Sequence, residues 1–399
     1  MMPTLETARP SRLPFVDVLR GMAMIVMALD HTRIFFWGQE AGSRALATSD
    51  LSSFFTRWIP GFCAPIFVSL AGVAAYLQLT QGKSKADLSR FLLKRGVWLI
   101  LLEATVINFG WFLVPTLPVC EVFWAIGISM VMLAPLIRLP IPIIAAVAVA
   151  FVAGHNMFDH IHLGSSERWG NLWHLLHEQG FLVFGGKPIA FVVYPAIPWN
   201  GVMALGFCFG KILTLPARRR VRATAVCGAL LLVLFIVLRG LNGYGDPAIW
   251  RSSPHVASRI KSFLSVTHNP VSLQFCAMSL GVTLLLLAGL DSLLTSNHVS
   301  WLHKFIGVYG RAPLIYYLLH IYAIHAATIV LCSITGHDWH GLVAPLLERM
   351  KAPLPAGYGV NLPIVYLIWI GIVISLYWPV ERYAEYKHRH PGNIWLSYL

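Results

Sequence analysis

Ten apolar runs of about twenty residues recur along this chain of 399 residues, near 15–37, 54–79, 90–113, 119–137, 140–158, 189–211, 221–241, 272–290, 305–332 and 362–381. A helical run of that length matches the hydrocarbon core of a bilayer. With 57% hydrophobic and only 12% charged residues, the chain reads as an all-α polytopic membrane protein: one bundle of about ten transmembrane helices. The same pattern excludes a soluble enzyme. The expected division is a short tail over 1–14, a transmembrane domain over 15–381 and a second tail over 382–399.

The formal net charge of +13 does not point to nucleic acid, because no basic patch outside the spans is interleaved with stacking aromatics. The basic residues gather between spans instead: Lys83, Lys85, Arg90, Lys94 and Arg95, then Lys211, Arg218, Arg219, Arg220 and Arg222, and finally Lys387 with Arg389. With ten spans all three clusters share one side. That side is expected to be the cytoplasm, with both termini on it. The opposite side carries three longer loops near 159–188, 242–271 and 333–361, rich in Gly, Pro, Trp and His. They are expected to cap the outer mouth, with Lys and Arg too dilute to set orientation.

Against this background the first run, FVDVLRGMAMIVMALDHTRIFFW, is anomalous, since it holds Asp17, Arg20, Asp30, His31 and Arg33. Ionisable groups at membrane depth normally face a bundle interior or a water-filled path. Arg20 and His31 are eleven positions apart, which on a helix brings them back to within about 20° of one face and separates them by about 16 Å. Asp17 is about 40° from that face, at an i,i+3 spacing that also suits a simple ion pair with Arg20. His31 is the candidate general base, with Asp30 to orient it.

Three other runs carry candidates. The second begins with Arg57, expected at the depth of Asp30 and readable either as its partner or as an acceptor contact, and contains a Pro65 kink. The third opens on Arg90, Lys94 and Arg95, a cluster suited to the phosphates of a cytosolic acyl carrier and equally to anionic lipid headgroups. It also carries Glu103 and Asn108 at membrane depth. The ninth, GVYGRAPLIYYLLHIYAIHAATIV, holds Arg311 near one end and His320 about 13 Å further on. Gly206 and Gly210 in the sixth run have the small-xxx-small spacing of close helix packing.

Several chemistries have no support. The six cysteines lie in or beside apolar segments without framework spacing and read as packing residues. The loop histidines His155, His160, His162, His174, His177, His337 and His340 form no HExxH motif and no cysteine joins them, so no metal is expected. Phosphate-binding, dinucleotide-binding and GxSxG motifs are absent from the sequence.

The segments DVLRGMAMIVMALDHTR, FCAPIFVSLAGVAAYL, VFWAIGISM, PWNGVMALGFCFG and WLSYL resemble the bacterial membrane-protein family related to the catalytic domain of heparan-alpha-glucosaminide N-acetyltransferase. A more distant similarity links the chain to membrane O-acyltransferases that decorate O-antigen, through Arg20, His31 and the run from Tyr316 to His320. The resemblance implies a transmembrane acyltransferase of the bacterial inner membrane that takes acetyl-CoA from the cytosol and modifies a sugar, glycan or glycolipid on the far side. It implies His31 as the site of transfer, and Arg20 with the Lys94–Arg95 region on the carrier side. Arg90 and Arg311 are further candidate carrier contacts, and Arg57 and His320 candidate acceptor contacts. Direct transfer and an acetyl-histidine intermediate both remain open, as do N- against O-acylation and monomer against homodimer. The other class compatible with intramembrane Asp, Arg and His is a secondary transporter of a small anion or glycolipid.

Overall fold

The computed structural model describes residues 13–37, 50–295, 300–352, 354–390, 393 and 396. Most of the expected N-terminal tail, and WLSYL apart from Leu396, fall outside these residues. Among the described residues every expected apolar run contains a helix. Helix α1 (Pro14–Phe36) opens on a proline, whose missing N–H lies in the first turn, where no helical partner exists. Next come α2 (Leu51–Trp58), a 3-10 turn over Ile59–Phe62 and α3 (Cys63–Thr80). The expected kink at Pro65 is absent as such. Pro65 sits in the first turn of α3, and the irregularity is the turn holding Pro60.

Helix α4 (Lys85–Leu102) is capped by Ser84, whose hydroxyl accepts from the Asp87 N–H, and passes through a π-turn over Glu103–Ile107 into α5 (Asn108–Phe112). The remaining helices are α6 (Val122–Leu136), α7 (Ile141–Gly154), α8 (Gly170–Leu176), α9 (Ala196–Leu213), α10 (Ala217–Leu241), α11 (Val256–Leu264), α12 (Leu273–Thr295), α13 (Ser300–Arg311), α14 (Pro313–Ile334), α15 (Leu346–Lys351) and α16 (Leu362–Arg389). Among the described residues seven helical stretches, against the ten expected, are long and apolar enough to cross a membrane, and this is a polytopic membrane protein. Helix α16 runs on through the start of the expected C-terminal tail.

Two findings depart from an all-helical reading. Residues 189–192, expected at the start of the sixth span, belong instead to a strand of a small sheet built from β1 (Val119–Cys120), β2 (Gly180–Phe184) and β3 (Lys187–Val192) in the order β1-β3-β2. Strands β2 and β3 are antiparallel, joined through Gly185 and Gly186, both at positive φ, the backbone that a two-residue hairpin turn requires. The ninth run, expected to be continuous, breaks between Arg311 and Pro313. Ala312 there is non-helical, because a residue before proline is pushed out of the helical region.

Helix α1 is central, packed against α3, α12, α13, α14 and α16, with buried side chains all around it. By contrast α10 exposes Val226, Leu230, Val233, Ile236 and Val237, as a lipid-facing helix would. The charged helix is therefore the one shielded from lipid, where a mid-bilayer charge costs roughly 2.5–3.5 kcal/mol or more. Close approach is built into its contacts: a Cβ on Gly310 of α13 would lie 1.8 Å from the Asp17 carbonyl oxygen. Likewise α3 and α9 meet backbone to backbone, since a Cβ on Gly206 would lie 2.1 Å from the Ser69 carbonyl oxygen. The small-residue spacing in the sixth run is a packing device, as its pattern indicates.

Candidate functional site

Two cavities lie along α1, one toward each end. The cavity near Arg20 has a volume of about 310 Å³ and is bordered by Arg20, Arg95, Arg311 and Lys387 together with apolar side chains such as Leu70, Leu92, Ile126 and Leu314. Four different helices deliver those cations: α1, α4, α13 and α16. The break before Pro313 ends α13 at Arg311, and the long extension of α16 carries Lys387 there. The Arg20 guanidinium donates to Asp17 at 3.2 Å and to the Gly310 carbonyl at 3.0 Å. Asp17 thus pairs with Arg20, as its spacing suggested.

The expected carrier cluster separates in three dimensions. Arg95 borders the cavity, whereas Lys94 and Arg90 are exposed outside it, Arg90 bonded to Asp87 at 2.6 Å. A helix turns by about 100° per residue, so neighbours in sequence need not share a face.

The second cavity, about 470 Å³, is bordered by Asp30, His31, Arg33, Arg57, Glu121 and His268 among others. Met27, Phe67, Val122 and Tyr317 border both cavities, so the two adjoin across a shared wall. His31 is almost fully buried and lies edge-on to Trp111 and Tyr317, with ring centroids 4.8 and 5.6 Å away. Its Nδ1 is 2.8 Å from Nε2 of His320, and Nδ1 of His320 is 3.0 Å from the Tyr316 carbonyl oxygen. His320 is completely buried behind His31 and is not among the residues bordering either cavity. Asp30, expected to orient His31, instead accepts from Nε and Nη2 of Arg33 at 2.9 and 2.7 Å. The orienting contact on His31 comes from another helix, not from its sequence neighbour.

Glu121, Tyr194 and His268 were not among the sequence candidates. Glu121 lies between β1 and α6, just before the helix, and the π-turn with the sheet brings it to the cavity: Asn108 holds β1 through both bonds to the Val119 backbone, and the Glu103 carboxylate accepts from the Trp124 N–H at 2.7 Å. Tyr194 follows β3, and its backbone N–H donates to the Cys120 carbonyl. A carboxylate opening an apolar run was a readable signal for Glu121. His268, on the loop before α12, had none. Burial pushes its imidazole below the ordinary range, against the opposing pull of Asp246 and Asp30. Among the described residues no cluster of three or more His, Cys, Asp or Glu has metal-binding geometry.

A central helix carrying a buried imidazole is flanked by two adjoining cavities, one lined by four cations and apolar side chains and the other largely polar, in a polytopic membrane protein. The family model for heparan-alpha-glucosaminide N-acetyltransferase, catalytic region, matches residues 12–240, and the chain belongs to that membrane acetyltransferase family. No curated protein matches the chain. The matched half supplies Arg20, His31, Arg57, Arg95 and Glu121, while His268, Arg311, Tyr317, His320 and Lys387 come from beyond it.

Proposed function

We propose that this chain moves an acetyl group from cytosolic acetyl-CoA to an amine or hydroxyl of a sugar, glycan or glycolipid of the cell envelope on the opposite side of a bacterial inner membrane. The observation that carries this reading is the pair of adjoining cavities with His31 on the wall of one and Arg20, Arg95, Arg311 and Lys387 around the other. Guanidinium and ammonium groups suit the phosphates of the carrier, and the apolar shaft suits its pantetheine arm. The basic clusters at this end make it the cytoplasmic one, with about ten spans and both termini inside. The acceptor then occupies the polar cavity, beside Asp30, Arg57 and Glu121.

In the transfer step, His31 takes the proton from the acceptor as its nitrogen or oxygen attacks the thioester carbonyl. The new C–N or C–O bond forms, the C–S bond breaks, and coenzyme A leaves as the thiol after taking up a proton. Direct transfer needs only one such base, and His31 is the group proposed for it. The test uses protein reconstituted in vesicles, radiolabelled acetyl-CoA outside and glucosamine trapped inside as acceptor probe. Labelled N-acetylglucosamine should accumulate with the parent protein and not with His31→Ala. Equal product from both proteins would remove His31 from the mechanism, and counterflow uptake of glucosamine without acetyl-CoA would favour a transporter.

A further inference from the structure

We infer that His320 is a positioning residue that fixes the tautomer of His31. The inference rests on the reading of His31 as the base that receives the acceptor proton. The argument runs along one chain of hydrogen bonds. The Tyr316 carbonyl oxygen can only accept, so His320, 3.0 Å away, must carry its proton on Nδ1. A neutral imidazole with Nδ1 protonated has its lone pair on Nε2. That lone pair faces Nδ1 of His31 at 2.8 Å, so Nδ1 of His31 is the donor in this contact. His31 therefore carries its proton on Nδ1 and its lone pair on Nε2, and Nε2 is the ring nitrogen left to take a proton on a residue that borders the cavity.

The anchor of this chain is a backbone carbonyl one helical turn before His320 in α14, which cannot rotate away without breaking the helix. The two imidazole rings are nearly parallel, 14° apart, and His31 is also confined by Trp111 and Tyr317, so ring flipping is opposed on several sides. The orienting group is neutral. It directs the lone pair by geometry, without adding the negative charge that Asp30 would have brought. When His31 receives the acceptor proton on Nε2, its Nδ1–H remains bonded to His320 and the site needs no rearrangement.

The test pairs His320→Leu, which removes the acceptor for the Nδ1–H, with His320→Gln, whose side-chain amide oxygen can replace it. Each purified protein, reconstituted in lipid nanodiscs, is assayed with acetyl-CoA and glucosamine, and binding of coenzyme A checks that the fold is intact. His320→Leu should lose at least about tenfold in kcat with KM for acetyl-CoA unchanged, and His320→Gln should recover a substantial part of the loss. Nitrogen-15 spectra of histidine-labelled protein supply a readout that does not depend on turnover. The His31 signals, assigned by their loss in His31→Ala, should report the Nδ1–H form in the parent and in His320→Gln, and a shift toward the Nε2–H form in His320→Leu. Unchanged kcat or an unchanged His31 tautomer in His320→Leu overturns the inference, as does a His320→Gln protein that binds coenzyme A normally yet turns over no faster than His320→Leu. If His31→Ala itself still transfers the acetyl group, the failure belongs to the proposed function and not to the role of His320.

Discussion

Arg20 donates from Nη1 to the carbonyl oxygen of Gly310 at 3.0 Å, tying the first turns of α1 to the last turn of α13 beside Arg311. That contact holds two of the cations at the mouth of the basic cavity, and it exists only because the helices touch backbone to backbone at Gly310. Gly310→Ala should force them apart, since the new Cβ would lie 1.8 Å from the Asp17 carbonyl oxygen. Overpacking of this kind costs about 1–3 kcal/mol. Thermal unfolding in detergent should register it as a lower midpoint, accompanied by weaker coenzyme A binding.

Arg95 and Lys94 are adjacent in sequence, and only Arg95 borders the cavity. Arg95→Ala should raise the dissociation constant for coenzyme A by about tenfold, the loss of one charge-assisted contact to phosphate. Lys94→Ala should change it little. Calorimetric titration of both variants checks the pair, and equal effects would point to a general surface-charge contribution.

Arg220 at the start of α10 donates from Nε and Nη2 to the two oxygens of Asp291 on α12, at 2.6 and 2.7 Å, and Asp291 is buried. Asp291→Ala removes the carboxylate from a half-buried guanidinium that keeps its bond to the Leu215 carbonyl and its contact with the Phe15 ring, so the loss should stay below about 3–5 kcal/mol, the cost of breaking a fully buried pair. The expected outcome is a marked loss of thermal stability. Since neither residue borders a cavity near α1, kcat of the surviving folded protein should stay at the parent value.

His268 has a folded-state pKa lowered by burial from its ordinary 6.5. Below that value the unfolded chain binds a proton that the folded chain resists, so acidification favours unfolding. Stability should therefore fall as pH drops below about 6.5, and the fall should end near the depressed folded-state pKa. His268→Gln should show a shallower decline over that window, and comparing melting midpoints of the two proteins from pH 7.5 downward isolates the contribution.

Much of the architecture was legible because membrane insertion is a local test: whether a run of about twenty residues is apolar depends on those residues alone. The presence of a helix in each apolar run, the Asp17–Arg20 pair and the packing role of Gly206 follow from the residues of a single run, although seven helical stretches among the described residues, not ten, are long and apolar enough to cross a membrane. The hairpin around Gly185 and Gly186 was not expected, although two glycines between apolar segments are a turn signal. It was hidden by the apolar character of 189–195, which suits a strand and a span equally well.

What the sequence by itself determined is the class of molecule and the charged stripe on α1, since both rest on composition and helical period. The tertiary structure decided which of those charges meet. It took Lys94 and Arg90 away from the cavity, brought Lys387 to it from the far end of the chain, and placed Glu121 and His268 on the cavity that His31 borders. It also gave His31 a histidine from α14 as its partner, while the adjacent Asp30 went to Arg33. Such contacts depend on how helices distant in sequence cross and rotate, and those angles are set by backbone approach at residues like Gly310 and by the break before Pro313, which no single run encodes.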